Sequence, residues 1–566
     1  MIVAGGAPVA GLYRDTEGSL EASCHRRERV DSELVELERF LSVDSEQKRA
    51  QKDVHIVLMS FYSFNAFSVH TLGSVLRSHG FTVSHIFFKN YLSDNMDLPT
   101  EAEYDILMNL LEELKPDLVG LSLMSTFAPI AEEVTTRARR FGVPLVWGGA
   151  HAINAAEDSI THADVVCIGE GEFALLKLAY ALHQNDDYRN IKNLWFRGES
   201  KKTKDYLYPL LQDLDLVPYP EFGDAGKYYI EHNTLHRGEP YYTNALSWYN
   251  FMSGRGCPFA CSFCSNSYLS RLYKGRGPIL RRRTVDNVIM ELVSAKNRFP
   301  ELSSISANDE VFVLQKDWLV EFCNQYREKI NLPFHCDIHP TRITDDTIAL
   351  LHSINLKTIS VGFQSGSERI RRDVYKRNTP DNKVIQGATI LKKYDVFPSY
   401  DFIFENPLET KEDLEESLEF LMKLPRPFRL NTYNLQNHPN TDLTSMLLSK
   451  GLISEGDIDG VSLKGLKQWH MNLKYHHKQS ETFHIYCLFK MCSYSIAIFT
   501  PYFYRRYSVY PRWLLRCLIN NKETIRRYPT VLRLLLLLGE AGESCGRYLS
   551  VLLSGNISKI TERVFR

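Results

Sequence analysis

The segment Ser253–Leu269, SGRGCPFACSFCSNSYL, places three cysteines within eight residues, Cys257, Cys261 and Cys264, on a loop that also holds two glycines and a proline. Thiolates spaced i, i+4 and i+7 on such a loop can converge on a soft metal centre, either zinc or an iron-sulfur unit. A structural zinc site is closed by a fourth Cys or His, usually from a second close pair such as C-x2-C, and no such second pair occurs in the chain. A 4Fe-4S cluster held by three thiolates instead leaves one iron open to a further ligand. Inert buried cysteines are the plain alternative, and a loop directly after a strand is a poor place for them.

Working outward, the cysteine loop follows the candidate strand SWYNFMS, and five more β-rich runs come after it: SSISAN, PFHCDI, KTISVGF, VFPSYDFIF and FRLNTYNL. Helix-length segments such as 286–298 and 411–423 separate them. Six βα units over 247–450 predict a partial, open (β/α)6 barrel with its chemistry at the carboxyl ends of the strands. Upstream, over 53–185, VHIVLMS, FTVSHIFF, DLVGLSLMS, VPLVWGG and ADVVCIG alternate with helical stretches in the same way. That alternation predicts an α/β, doubly wound, flavodoxin-like parallel sheet, whose ligands sit beyond the strand ends. Small and polar residues collect there: Ser122 and Ser125, Gly148 and Gly149, then GEGE at Gly169, Glu170, Gly171 and Glu172. Each could be an ordinary turn; three in register point to a flat ligand approaching the backbone. Residues 1–52 read as a charged helical leader, 186–246 as a polar linker, and 451–566 as a helical, basic and aromatic extension.

Composition limits the function classes. The 566 residues are 44% hydrophobic, enough to bury several cores. Sixty-seven Lys and Arg against 68 Asp and Glu leave a formal charge of -1, so no global field draws the chain to nucleic acid, and no nucleic-acid partner is expected. Eleven scattered cysteines and an N-terminus without a basic and apolar leader suggest a cytoplasmic protein with reduced thiols. No window reaches the roughly 18 apolar residues of a spanning helix. Residues 501–566 carry 12 Lys and Arg against 4 Asp and Glu, with aromatics interleaved in PYFYRRYSVYPRWLLRCL. Such a tail can lie peripherally on an anionic membrane or cap a pocket for a hydrophobic, lipid-like substrate; its bland reading is a helical cap packed on the barrel. His476, His477 and His484 lack metal-ligand spacing and read as surface residues.

Cys257-Pro-Phe-Ala-Cys261-Ser-Phe-Cys264 resembles the C-x3-C-x2-C signature of the radical S-adenosylmethionine enzymes. The resemblance implies a 4Fe-4S cluster on the three cysteines, with S-adenosylmethionine chelating the free iron and cleaved to a 5'-deoxyadenosyl radical. It implies Phe263 against the adenine, Asp309 and Glu310 of SANDEVF near the methionine amine, and further contacts from Gln364 and Ser365 of SVGFQSGSERI. Two positions depart from the family: Gln364 stands where a glutamate is expected, and Glu405 of DFIFENPLETKEDL where a glycine is. The N-terminal sheet resembles the cobalamin-binding domain that precedes the barrel in a large subfamily. This implies cobalamin contacts at Asn65, Ser122, Ser125, Gly148, Gly149, Gly169, Glu170 and Gly171. The loop SFYSFNAFSVHTLG does not match the D-x-H-x-x-G that supplies a histidine to cobalt, and His70 falls within the following helix. By the same resemblance one S-adenosylmethionine would methylate cobalt and a second would generate the radical, giving methylation of an unactivated carbon of a small-molecule or lipid-like substrate, with an electron donor such as flavodoxin or ferredoxin. Ring formation is the alternative enzyme class. A cobalamin or cluster sensor is the non-enzyme class, and it would need an output module.

Overall fold

The structure is a computed structural model that describes residues 30–42, 52–63, 66–89, 97–200, 204–220, 225–238 and 248–459, and, further on, 483–493, 495–500, 503–508, 510–520, 535 and 538–539. The first sheet begins with β1 (Lys52–Phe61), β2 (Phe81–Phe88), β3 (Leu118–Ser122), β4 (Leu145–Gly148) and β5 (Val165–Cys167), all on the apolar runs expected to form it. Residues 186–246, read above as a linker, add β6 (Leu194–Phe196), β7 (Lys227–Glu231) and β8 (Thr234–Arg237). The order is β6-β5-β4-β3-β1-β2-β7-β8; β6 and β8 pair antiparallel at the two edges and every other pairing is parallel. Strands covered by helices on both faces need apolar residues at consecutive positions. In β1, Val57 and Met59 enter one core while Ile56 and Leu58 enter the other. Local signals set the helix ends, as at Glu101–Leu114, where Thr100 and Glu103 form a reciprocal capping box.

The second sheet contains β9 (Trp248–Phe251), β12 (Ser304–Ala307), β13 (Phe334–Ile338), β14 (Leu356–Gln364), β15 (Phe397–Phe404) and β16 (Arg429–Asn434). Between β9 and β12 lies a short antiparallel pair, β10 (Gly254–Arg255) with β11 (Arg281–Arg282), which flanks the cysteine loop. The six strands run parallel in the order β16-β15-β14-β13-β12-β9, and among the described residues no pairing closes them into a full barrel. Buried and partly buried residues alternate along most of their length. Ile305, Cys336, Val361 and Phe402 are buried in the core that includes the outer helices, whereas Ser306, His335, Asp337, Ser360, Asp401 and Asn431 on the other face are only partly buried.

The C-terminal extension is not purely helical. β17 (Ser495–Thr500) and β18 (Phe503–Ser508) form an antiparallel hairpin between the helices Phe483–Ser493 and Arg512–Asn520. The first of these helices belongs to the barrel core: Ile485, Leu488 and Phe489 are buried, and the Phe489 ring lies 5.0 Å from Phe404 and 6.0 Å from Phe402. Leu515 and Ile519 of the second join the same core, which is the cap reading of this region. No described helix is long and apolar enough to cross a membrane.

Candidate active site

A cavity of about 770 Å³ opens at the carboxyl ends of the first sheet and reaches the cysteine loop of the second. Ser122, Gly148, Gly149, Gly169, Glu170 and Gly171 line it from one side, and Met252, Gly254, Arg255, Gly256 and Glu310 from the other. Leu58, Val146, Leu175 and Leu194 give it apolar wall as well. The glycines play different parts. Gly149 has a φ of 89°, and a Cβ there would stand 2.8 Å from both the N and the O of Leu123, so only glycine fits the turn. At Gly148 a Cβ would meet nothing closer than Cys167 Cβ at 3.9 Å, which leaves its backbone open to a ligand.

Two of the residues expected on this side have protein partners of their own, and a third cannot be placed. Ser125 is buried away from the cavity, 3.1 Å from Nδ1 of His151. Glu170 lines the cavity, but both its carboxylate oxygens accept hydrogen bonds from arginine, Oε1 from Arg255 and both from Arg281. Asn65 lies outside the described residues. No histidine is among the described residues lining the cavity. His70 is buried beside His85 and Phe87, with ring centroids at 5.6 and 5.4 Å, as its place in the helix suggested.

Cys257, Cys261 and Cys264 are free thiols on one loop, Cys261 buried and the other two half-buried. Burial pushes the Cys257 thiol up to about 11 and raises that of Cys264, so a thiolate at either position needs a neighbouring cation. Arg377 acts against the rise at Cys264, and its Nη1 donates to Cys261 Sγ at 3.4 Å. Among the described residues no three His, Cys, Asp or Glu side chains converge as a single-ion site requires. A 4Fe-4S cluster would take these three thiolates on three different irons, and so does not ask them to converge on one point.

The residues expected to hold S-adenosylmethionine divide into two groups. Phe263 packs edge-on against Tyr375, with centroids 5.1 Å apart, in a cluster with Ile403 and Leu408, a setting for a flat ring. Glu310 is exposed at the cavity wall, and partial removal from water raises its carboxyl above the ordinary range. Asp309, by contrast, is buried and tied to Ser253, accepting from the Ser253 amide at 3.0 Å and its hydroxyl at 2.9 Å. It braces the start of the cysteine loop. Ser365 is also buried and spends its hydroxyl on Glu409 and Ser417, each at 3.3 Å. Gln364 ends β14 with a φ of 73°, after a register shift, and stands close to Arg377. Glu405 has a φ of 61°, the left-handed backbone for which glycine is the usual residue at that place.

Sequence reasoning did not single out Arg377, Arg255, Arg281 or His339. His339 stacks on Phe259 of the cysteine loop with centroids 3.8 Å apart, and burial keeps its ring neutral by lowering its pKa to about 3. Arg255 stands inside the quoted segment, yet nothing local announces a partner 85 residues away.

Comparison with known proteins agrees with this geometry. Residues 251–421 match the Radical SAM superfamily and residues 47–179 the B12 binding domain. An uncharacterized methyltransferase of Pyrococcus horikoshii is 23% identical over 362 residues, 63% of this chain and 74% of the relative. An anaerobic magnesium-protoporphyrin IX monomethyl ester cyclase of Cereibacter sphaeroides is 25% identical over 373 residues, 61% of this chain but only 54% of the cyclase. Among solved structures, the radical S-adenosylmethionine methyltransferase TsrM of Kitasatospora setae superposes with a TM-score of 0.55 at 16% identity, covering 70% of this chain and 76% of its own. The cobalamin-dependent S-adenosylmethionine radical enzyme OxsB, with aqua-cobalamin bound, superposes with 0.55 at 15% identity, covering 86% and 72%. At such identities the two structures speak for the fold. The chain thus carries a B12 binding domain leading into a radical SAM domain, the pairing of a cobalamin-dependent radical SAM enzyme.

Proposed function

We propose that this enzyme transfers a methyl group to an unactivated carbon of a small organic substrate held between its two domains. The observation that carries the reading is the shared cavity, in which the glycine loops of the first sheet and Gly254, Gly256 and Glu310 beside the cysteine loop are walls of one chamber. When bound, the 4Fe-4S cluster with S-adenosylmethionine supplies a radical that abstracts hydrogen, and cobalamin supplies a methyl group. Cys257, Cys261 and Cys264 suit the cluster because they are free thiols on one loop with a cationic neighbour in Arg377. In this reading Phe263 would bear the adenine, and Glu310, which lines the cavity, would take the methionine ammonium in preference to Asp309, which is tied to Ser253. Ser122, Gly148, Gly149 and Gly171 would hold the cobalamin, and no histidine stands among the described residues of that wall. The leucine and valine walls keep water from the reacting atoms.

The reducing electron comes in this reading from a flavodoxin or ferredoxin. Peripheral membrane contact of the tail rests on exposed side chains such as Trp513, which is 71% exposed. The reaction is tested with methyl-deuterated S-adenosylmethionine, reduced holoenzyme and an extract of the source organism. Methyl transfer requires S-adenosylhomocysteine, 5'-deoxyadenosine and a product heavier by the labelled methyl. 5'-Deoxyadenosine without stoichiometric S-adenosylhomocysteine would replace the reading by ring formation, and neither nucleoside above background would point to a sensor.

A further inference from the structure

Both ends of the cysteine loop are anchored on one short loop of the other domain. Arg255, two residues before Cys257, donates from Nη1 to Glu170 Oε1 at 3.0 Å and from Nη2 to Glu172 Oε1 at 2.6 Å. Arg281, paired with Arg255 across the β10–β11 hairpin, donates to both oxygens of Glu170 at 2.8 and 3.0 Å and to the Leu211 carbonyl at 2.9 Å. Its side chain is 3% exposed. Beyond Cys264, the helix Ser265–Leu272 ends at the buried Tyr273, whose hydroxyl accepts from the Glu170 amide at 3.1 Å. Gly169, with a φ of 93°, admits that tyrosine because a Cβ would stand 1.8 Å from its hydroxyl. Asn193 fixes the loop from behind, donating to the Glu170 carbonyl at 2.9 Å.

Two arginines facing two glutamates with little solvent are costly to break, because removing one partner strands the other charge. The network is also geometrically specific, with the planar guanidinium of Arg255 bridging two carboxylates. We propose that Glu170, Glu172, Arg255, Arg281 and Tyr273 form a strut that sets the distance between the cobalamin cradle and the cysteine loop, which makes Glu170 a positioning residue and not a cobalamin contact. The strut follows from the ion pairs themselves; its consequence for catalysis rests on the function proposed above. Two reacting groups on separate domains have to meet within a narrow distance, and a misplacement of about 1 Å costs about a hundredfold in rate.

The test uses the full chain with Glu170→Gln, Arg255→Gln, Arg255→Lys and the milder Glu172→Gln, which removes the charge from one ion pair. Scanning calorimetry of cobalamin-free protein is expected to give a single transition for the wild type, two separated transitions for Glu170→Gln and Arg255→Gln, and recovery towards one in Arg255→Lys. In holoenzyme loaded with cluster and cobalamin, pulsed dipolar spectroscopy between cobalt(II) and the reduced cluster should show a broadened distance in the same two variants, with four irons per chain and cobalamin stoichiometry retained. Product formed per 5'-deoxyadenosine released should drop about a hundredfold. Unchanged melting and unchanged distance would overturn the strut. So would loss of cobalamin uptake in Glu170→Gln with wild-type melting, since that marks a direct contact. A wild type that takes up no cobalamin would remove the functional reading while calorimetry still decides the strut. Should Glu170→Gln or Arg255→Gln not fold, Glu172→Gln takes their place, with a broadened distance expected and an unchanged one overturning the strut.

Discussion

Gly148 and Gly149 are adjacent and chemically identical, and the structure assigns them opposite sensitivities. Replacing Gly149 by alanine puts a Cβ 2.8 Å from two backbone atoms of Leu123 at a φ of 89°. Neither atom belongs to a side chain that can swing aside. The unfavourable backbone costs about 1–3 kcal/mol, and the overpacking about the same again. A central value of about 4 kcal/mol lowers the melting temperature of a domain of this size by about 8–16 °C. Gly148→Ala meets only Cys167 Cβ at 3.9 Å and has no positive φ, so its stability should stay within about 0.5 kcal/mol of wild type. Its new methyl group, however, points at the cradle, and cobalamin affinity should weaken about tenfold, the equivalent of about 1.4 kcal/mol. Gly142→Ala is the control for backbone strain alone: its φ is 68° with nothing within 4 Å, and about 1 kcal/mol is expected. The assays are thermal unfolding followed by circular dichroism, and hydroxocobalamin titration by absorbance. The reasoning fails if Gly149→Ala melts with the wild type, or if Gly148→Ala is destabilised as much as Gly149→Ala.

The remaining predictions address the cluster, the acid groups and the tail. Alanine at Cys257, Cys261 and Cys264 together should abolish 4Fe-4S absorption in anaerobically reconstituted protein, whereas Cys323→Ala, deep in the barrel core, should keep the iron and lose only stability. Stoichiometric zinc without iron in protein isolated without oxygen would refute the cluster assignment. Burial raises the Glu409 carboxyl to about 8, above its unfolded value, so its stabilising contribution is full below about pH 4.5 and is lost as pH rises through about 8. Wild type should therefore lose more melting temperature than Glu409→Gln between pH 5 and pH 9; parallel profiles would contradict this. Truncation after Lys450 removes Ile485, Leu488 and Phe489 from the core, at about 2–5 kcal/mol for each large side chain, against a total domain stability of about 5–15 kcal/mol. The shortened chain should lose cooperative unfolding, and a folded, melting product would show that the cap is dispensable.

The features legible from the residues alone are local ones. The spacing of Cys257, Cys261 and Cys264 on one loop needs no long-range information, and the alternation of apolar runs with helical segments set both parallel sheets, because periodicity and burial are written within each element. The strands at 194–196, 227–231 and 234–237 escaped because they are short, lie at or next to the sheet's edges, have no repeat of their own, and acquire a partner only when the sheet is assembled. The site residues sort in the same way. Asp309, Ser365 and Glu170 carry polar groups in family-like positions, yet Ser253, Glu409 with Ser417, and Arg255 with Arg281 occupy them. Ser125 turns to His151, and Arg377 arrives beside Cys261 from 116 residues downstream. A polar side chain is free for a ligand only if no closer protein partner reaches it. That competition is decided by which elements the fold brings within about 3 Å, a quantity that neighbouring residues along the chain do not encode.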